Sequence, residues 1–363
     1  MSHASLFPVS GLGAKAPACF LVVVGRARIL LDLGTGAEPE QRPDLSALDR
    51  LDAVIFSHAH PDHIGAHAML VGREVDAIWA TERTWEVLGR ELEHPADRYT
   101  LPARGAVRVA GITVTTGRTG HAPGGVWLHL AVGDGLLYLA DVEPETAFYA
   151  YDPPKEAGTV ILDASYGDWD TAPARARIDV LDAVTKGCLL PAPPLGRGPE
   201  LALALHEAGY APAMDAATAT AVDRLLDAAK TPAPLLPGRD QALAELRKTA
   251  SVFNHAAIPD GQGPIVLEDA TAGWGIIQQM IAAKSTRDVL FTGYVPATGD
   301  AQALIATGGA RFLRWPVHPR LTAQRHLVQG SGARHVLPAF THRPKPAAWP
   351  GCTWQITGDE VAL

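Results

Sequence analysis

Residues 54–63, Val54-Ile55-Phe56-Ser57-His58-Ala59-His60-Pro61-Asp62-His63, constrain this chain more than any other stretch. An apolar run of strand character stops abruptly and delivers three histidines and an aspartate between positions 58 and 63. Val54, Ile55 and Phe56 read as a short buried strand, and Pro61 turns the backbone immediately afterwards. Ile64 to Met69 reads as the first turns of a helix. Side chains two apart on an extended segment point the same way, so His58 and His60 can grip one metal ion. Past the turn, Asp62 and His63 aim at a second position beside it. Imidazole and carboxylate together suit zinc, and manganese as well.

Composition sets the frame around this element. The chain has 363 residues, enough for two domains or one large one. Hydrophobic residues make up 47% and charged residues 19%, ordinary for a soluble globular protein. A formal net charge of −8 argues against indiscriminate nucleic-acid binding but does not bear on a local basic groove. Cys19, Cys188 and Cys352 are far apart and lack Cys-x-x-Cys spacing, so they read as buried small hydrophobes in a reducing compartment. The first residues show no charged region followed by an apolar core, and runs such as Cys19 to Val24 are too short to span a bilayer. The expectation is a soluble cytoplasmic protein without a membrane partner.

The motif His-x-His-x-Asp-His after a hydrophobic strand resembles the signature of the metallo-β-lactamase fold. That resemblance implies an αββα sandwich with two zinc ions at one edge of two facing sheets. In such a fold Asp32, in the turn Asp32-Leu33-Gly34-Thr35-Gly36, sits near the metals as support, although the segment alone reads as a turn. Strands are expected at 18–24, 28–33, 107–109 and 112–116, with a helix over 81–92. His121, flanked by Gly120 and by Ala122-Pro123, takes the place of the third ligand of the first zinc. The strand Leu136 to Ala140 ends on Asp141, and a carboxylate there can bridge two cations.

Three further segments resemble the β-CASP branch of that fold, whose members cut nucleic acids. Asp163-Ala164-Ser165-Tyr166-Gly167 follows an apolar strand, Gly196-Arg197-Gly198-Pro199-Glu200-Leu201 follows a proline-rich turn, and Thr292-Gly293-Tyr294 closes a late strand. Residues 1–171 and 306–363 are then the two parts of the metallo-β-lactamase domain, and 172–305 an inserted β-CASP-like α/β domain. Strands near 188–191, 264–267 and 289–292, with helices near 199–208, 215–230, 239–253 and 274–284, fit a parallel sheet covered by helices.

The resemblance also implies the last site residues. His318 matches the branch's late histidine, without the usual Ser-Gly-His around it. His342, after the strand Val336 to Phe340, matches the closing ligand, although Arg343 follows where glycine is usual. The first zinc is expected to take His58, His60 and His121, and the second Asp62, His63 and His342, with Asp141 between them. Asp62 also orients the attacking water. His318, paired with Asp163, contacts the scissile phosphate or protonates the leaving oxygen.

Residues 301–358 contain no Asp or Glu yet hold Arg311, Arg314, Arg320, Arg325, Arg334, Arg343 and Lys345, which reads as a phosphate-binding rim. The expected partner is single-stranded RNA, favoured over DNA, with a homodimer left open. A hydrolase of small esters, thioesters or lactones with the insert as a lid is the alternative. A scaffold that binds nucleic acid without cutting it is disfavoured by the full ligand set.

Overall fold

The computed structural model describes residues 3–36, 38, 41–89, 92–227, 234–254, 263–273, 275–283, 287–342, 353–354 and 360–363. Arg343, Lys345 and Cys352 lie outside them. The chain divides into two compact units, one of Met1–Thr146, Ala150–Asp170 and His318–Leu363, the other of Ala147–Tyr149 and Thr171–Val317. The second unit thus runs past residue 305 and carries Trp315.

In the first unit, strands β1 (Ala4–Ser10), β2 (Cys19–Val24), β3 (Ala27–Leu31), β4 (Arg50–Ile55), β5 (Glu74–Thr81) and β6 (Asp97–Leu101) form a sheet with β20 (Val361–Ala362). The order is β20-β1-β2-β3-β4-β5-β6, antiparallel up to β3 and parallel from β3 to β6. A second sheet holds β7 (Gly105–Val109), β8 (Ile112–Arg118), β9 (Val126–Leu130), β10 (Leu136–Tyr138), β11 (Thr159–Asp163), β18 (His335–Ala339) and β19 (Thr353–Trp354). Its order is β19-β18-β11-β10-β9-β8-β7, parallel from β10 to β19.

The inward faces of the two sheets share one core. Leu6, Phe20, Ile29, Leu31 and Ile55 come from the first, and Val114, Leu128, Leu136, Ile161 and Leu337 from the second. Each such side chain contributes about 1.5–3 kcal/mol on burial. Helices α1 (Pro61–Ile64) and α2 (Glu82–Leu88) follow β4 and β5, and Thr81 caps α2 by accepting from the Thr84 N–H. On the far face of the second sheet, α9 (Leu321–Ser331) packs Leu327 and Val328 against Leu137, Val160 and Leu162. This is the αββα sandwich. The parallel strands β4, β10, β11 and β18 end at one edge, where the ligand-bearing loops leave.

The second unit is a parallel α/β layer. Strands β12 (Leu189–Pro191), β13 (Ala213–Asp215), β14 (Ser251–Phe253) and β15 (Ile265–Leu267) run in the order β12-β15-β13-β14, and β16 (Leu290–Phe291) pairs with β17 (Arg311–Phe312). Helices α3 (Pro173–Asp182), α4 (Arg197–Glu207), α5 (Ala216–Leu225), α6 (Arg239–Thr249), α7 (Gly275–Ala282) and α8 (Asp300–Ala306) accompany them. The helix expected through 253 stops at Thr249. Ala250 turns extended, and Ser251-Val252-Phe253 pairs with β13, as β-branched and aromatic residues favour. Two of the β-CASP-like segments meet here: a Cβ on Gly293 would lie 2.0 Å from the Arg197 guanidinium, so only glycine lets the arginine lie against that backbone.

Glu200, on α4, is 6% exposed, and burial pushes its carboxyl up from 4.5 to about 7, against the pull of Arg177, Trp315, Arg197 and Arg239. A carboxyl raised in the folded state stabilises the fold below its unfolded value and loses that contribution as pH climbs through its folded one. The loss is on the order of 3 kcal/mol. Glu200→Gln should therefore flatten the decline of stability between about pH 5 and pH 8, as read by urea denaturation. Parallel pH profiles for the two proteins would contradict this.

Candidate metal centre

The site is built on a turn that looks ordinary in the sequence. Asp32, just past β3, is fully buried and takes a left-handed backbone (φ 58), which aspartate tolerates better than most residues. The turn after it is laced to the ligand loop: the Leu33 N–H donates to the His63 carbonyl at 2.8 Å, and the Thr35 N–H to the Pro61 carbonyl at 2.9 Å. A Cβ on Gly34 would fall 1.8 Å from the Asp62 carbonyl oxygen, so only glycine permits this approach. The Asp-x-Gly segment braces the loop that carries His58, His60, Asp62 and His63.

The Asp32 carboxylate gathers four donors. It accepts from Ser57 N–H and Ser57 Oγ at 2.7 Å each, from the Tyr138 hydroxyl at 2.5 Å and from His63 Nδ1 at 2.7 Å. Burial and the adjacent Asp32 hold the Tyr138 hydroxyl well above its ordinary pKa, so it stays a donor. Held at Nδ1, His63 keeps Nε2 for a metal, the usual outer-shell device for orienting a ligand imidazole. That Nε2 stands 3.2 Å from Asp141 Oδ1, and neither buried atom makes a hydrogen bond.

Around Asp141 the ligand candidates converge in three overlapping sets. His58, His60, His121 and Asp141 form one, Asp62, His63 and Asp141 a second, and Asp141, Asp163 and His318 a third, each with ligand atoms within 4.8 Å of one another. His60 Nδ1 lies 3.1 Å from His58 Nε2 and 3.0 Å from His121 Nε2. Burial pushes His58 well below its ordinary pKa, and His63 and His60 add to the push. Against the same burial, Asp141 and Asp32 hold His63 well above it. Burial works against the Asp141 charge too, yet His63 and His318 keep that carboxyl well below the usual range. Crowded imidazole lone pairs around a charged carboxylate, with orphaned buried atoms on both, fit a divalent cation.

His318 donates from Nδ1 to Asp163 Oδ2 at 2.8 Å, and Asp163 also accepts from the Val142 and Ser165 N–H groups, both at 3.0 Å. The His318 imidazole lies 3.9 Å from Asp141 Oδ2 and meets the Tyr166 ring edge-on at 5.1 Å.

Eight of the nine predicted site residues thus come together, and His342 does not. It is exposed and belongs to none of the three sets. Past β18, Phe340 takes φ 62, and its ring packs edge-on against His63 at 5.3 Å. That places an aromatic wall, rather than His342, against the second position. Two neighbours escape sequence reasoning altogether. Tyr138 looks like a core residue of an apolar strand. Lys15, in a glycine-rich loop, lies 3.7 Å from Asp62 Oδ2 and over the Phe340 ring. No pattern signals either one.

Comparisons with known proteins agree with this geometry. The family model for a beta-lactamase superfamily domain matches residues 27–167. Transcription termination factor FttA of Methanocaldococcus jannaschii is 28% identical over 239 residues, 53% of this chain and 37% of that protein. A ribonuclease of Thermus thermophilus is 26% identical over 185 residues, 44% of this chain and 43% of that protein. The chain therefore spans less than half the length of these curated relatives. A crystal structure of a protein of unknown function from Enterococcus faecalis covers 99% of the chain with a TM-score of 0.61 at 13% identity, a likeness of fold. Asp32, the loop from His58 to His63, His121 and Asp141 all lie within residues 27–167, so this cluster falls in the part of the chain that matches a beta-lactamase superfamily domain.

Proposed function

We propose that this protein is a zinc-dependent phosphodiester hydrolase that cuts single-stranded nucleic acid, RNA in preference to DNA. The observation that carries this reading is the Asp163–His318 pair beside Asp141, an oriented proton carrier at the rim of a metal-ligand cluster. His58, His60 and His121 would hold one ion and Asp62 and His63 a second, with Asp141 shared; manganese suits the same donors. Bound cations would supply Lewis acidity and water activation near neutral pH. The chain's own groups do the rest. Asp62, at the second position, orients the attacking water. His318, held at Nδ1 by Asp163 and set beside Asp141, is the group placed to pass a proton to the leaving oxygen. Two buried free thiols, Cys19 and Cys188, suit the reducing cytoplasm. No described helix is long and apolar enough to cross a membrane.

The substrate class is tested by offering zinc-loaded protein labelled single-stranded RNA, single-stranded DNA, bis(p-nitrophenyl) phosphate and p-nitrophenyl acetate. RNA should be cut fastest, and His318→Ala should slow that cleavage while leaving the zinc content unchanged. Hydrolysis of the acetate alone would favour the small-ester alternative.

The arginine-rich rim is largely spoken for. Arg311 pairs with Asp288, with Nε 3.1 Å from Oδ1, and donates to the Ala183 carbonyl at 2.7 Å. Arg320 clamps Glu145 at 2.8 and 3.1 Å and reaches Asp170 at 3.3 Å, while Arg334 pairs with Asp134. The acid-free stretch takes its acids from elsewhere in the chain. Each phosphate contact steepens log K against log salt by about 0.7 for a single strand. With these three arginines committed, RNA affinity should fall with a slope shallower than about −2, and Arg334→Ala should leave it unchanged. A slope of about −3 or steeper would restore the rim.

A further inference from the structure

The second unit contains a pocket that phosphodiester chemistry does not use. Its volume is about 350 Å³. Glu200, Leu203 and Ala204 line it from one face of α4, and Arg177 and Leu181, one turn apart, from α3. The fully buried Trp315 closes one side, and Phe148 adds a second aromatic wall. Such walls suit a compact apolar body.

The polar end of the pocket is incomplete as it stands. Arg177 Nε and Nη2 are both buried and have no hydrogen-bond partner. These two atoms form the edge of a guanidinium whose parallel N–H groups take a carboxylate two-handed. The nearest acid, Glu200 Oε1, stands 3.8 Å from Nε, too far to satisfy it. Arg239 is not a competitor, because it already binds Glu207 at 2.7 Å. Burial raises the Glu200 carboxyl, so near neutrality it can offer its proton to an incoming oxygen. With Glu207 taken by Arg239 and Glu200 protonated, Arg177 leaves the pocket one unmatched positive charge, which a monoanion balances and a dianion such as a phosphate monoester overshoots. One negative charge on an apolar body is what remains.

We infer that this pocket binds a small monocarboxylic acid with an apolar body, its carboxylate gripped by the Arg177 Nε/Nη2 edge and its body held between α3 and α4. The inference is independent of the metal centre. Isothermal titration calorimetry on the full chain tests it with octanoate and 3-phenylpropanoate as probes, and with octanamide, 3-phenylpropanamide and inorganic phosphate as controls. One of the two acids should bind at least about 10-fold more tightly than its own amide, and phosphate should not bind, because the charge-assisted pair needs a monoanionic carboxylate. Arg177→Met should abolish the preference for acid over amide. Ala204→Phe, which fills the pocket from a half-buried wall and leaves Arg177 in place, should abolish binding altogether; its fold is checked by circular dichroism. Equal affinity for acid and amide, undiminished binding in Arg177→Met, or no binding of either acid at 10 mM would each overturn the inference.

Discussion

Asp141→Asn should strip the protein of metal and of activity together. This residue alone belongs to all three ligand sets. Its Oδ1 lies 3.2 Å from His63 Nε2, and its Oδ2 lies 3.8 Å from His58 Nε2 and 3.4 Å from His121 Nε2. Asparagine keeps the volume and removes the charge around which the buried imidazoles are arranged. Outer-shell changes typically weaken a metal site 10- to 100-fold, so loss of the shared carboxylate should weaken zinc binding by at least about 100-fold. Phosphodiester hydrolysis should drop by at least about 1000-fold. Zinc analysis after dialysis, with single-turnover rates, measures both. A variant that keeps two zinc ions and a rate within about 10-fold of the parent would remove Asp141 from the centre of this scheme.

Asp32→Ala should act on the fold before it acts on the chemistry. The substitution takes away the acceptor shared by the Ser57 N–H, the Ser57 hydroxyl, the Tyr138 hydroxyl and His63 Nδ1, all on fully buried residues. Breaking a buried charged network by removing one partner costs about 3–5 kcal/mol. Alanine also pays at φ 58, where Asp32 sits. Urea denaturation should show a loss in that range, and zinc added in excess should recover only part of it. A loss below about 1 kcal/mol would mean that the brace is ornamental. Tyr138→Phe, which removes one donor rather than the acceptor, should cost much less.

How far the sequence reveals this site depends on how local each part is. His58, His60, Asp62 and His63 fall within one turn of chain after a buried strand, and pattern alone brings them together. Asp141 and Asp163 each follow an apolar run, the same logic on two further strands. The Asp163–His318 pair spans 155 positions, and only a family resemblance joins it. The Tyr138–Asp32 bond spans 106 positions and has no such help, because the unbroken apolar run Leu136-Leu137-Tyr138-Leu139 marks Tyr138 only as core. His342 shows the opposite failure. Chain order puts it after the right strand, but the left-handed turn at Phe340 sends the aromatic ring to the site and His342 to the surface. The arginines fail for a related reason: a composition window sees no acid between 301 and 358, while Asp134, Glu145, Asp170 and Asp288 arrive from outside it.

The most direct test of the central claim is a zinc titration of RNA cleavage. Metal-free protein is mixed with end-labelled single-stranded RNA, and initial rates are followed as zinc is added in fractions of an equivalent per chain. The proposed centre predicts no cleavage without zinc, a rate that levels off at two equivalents, and cleavage by Asp141→Asn at least about 1000-fold slower at every zinc concentration. Cleavage that persists in chelator, or RNA left intact at every zinc level while p-nitrophenyl acetate is hydrolysed, would contradict it.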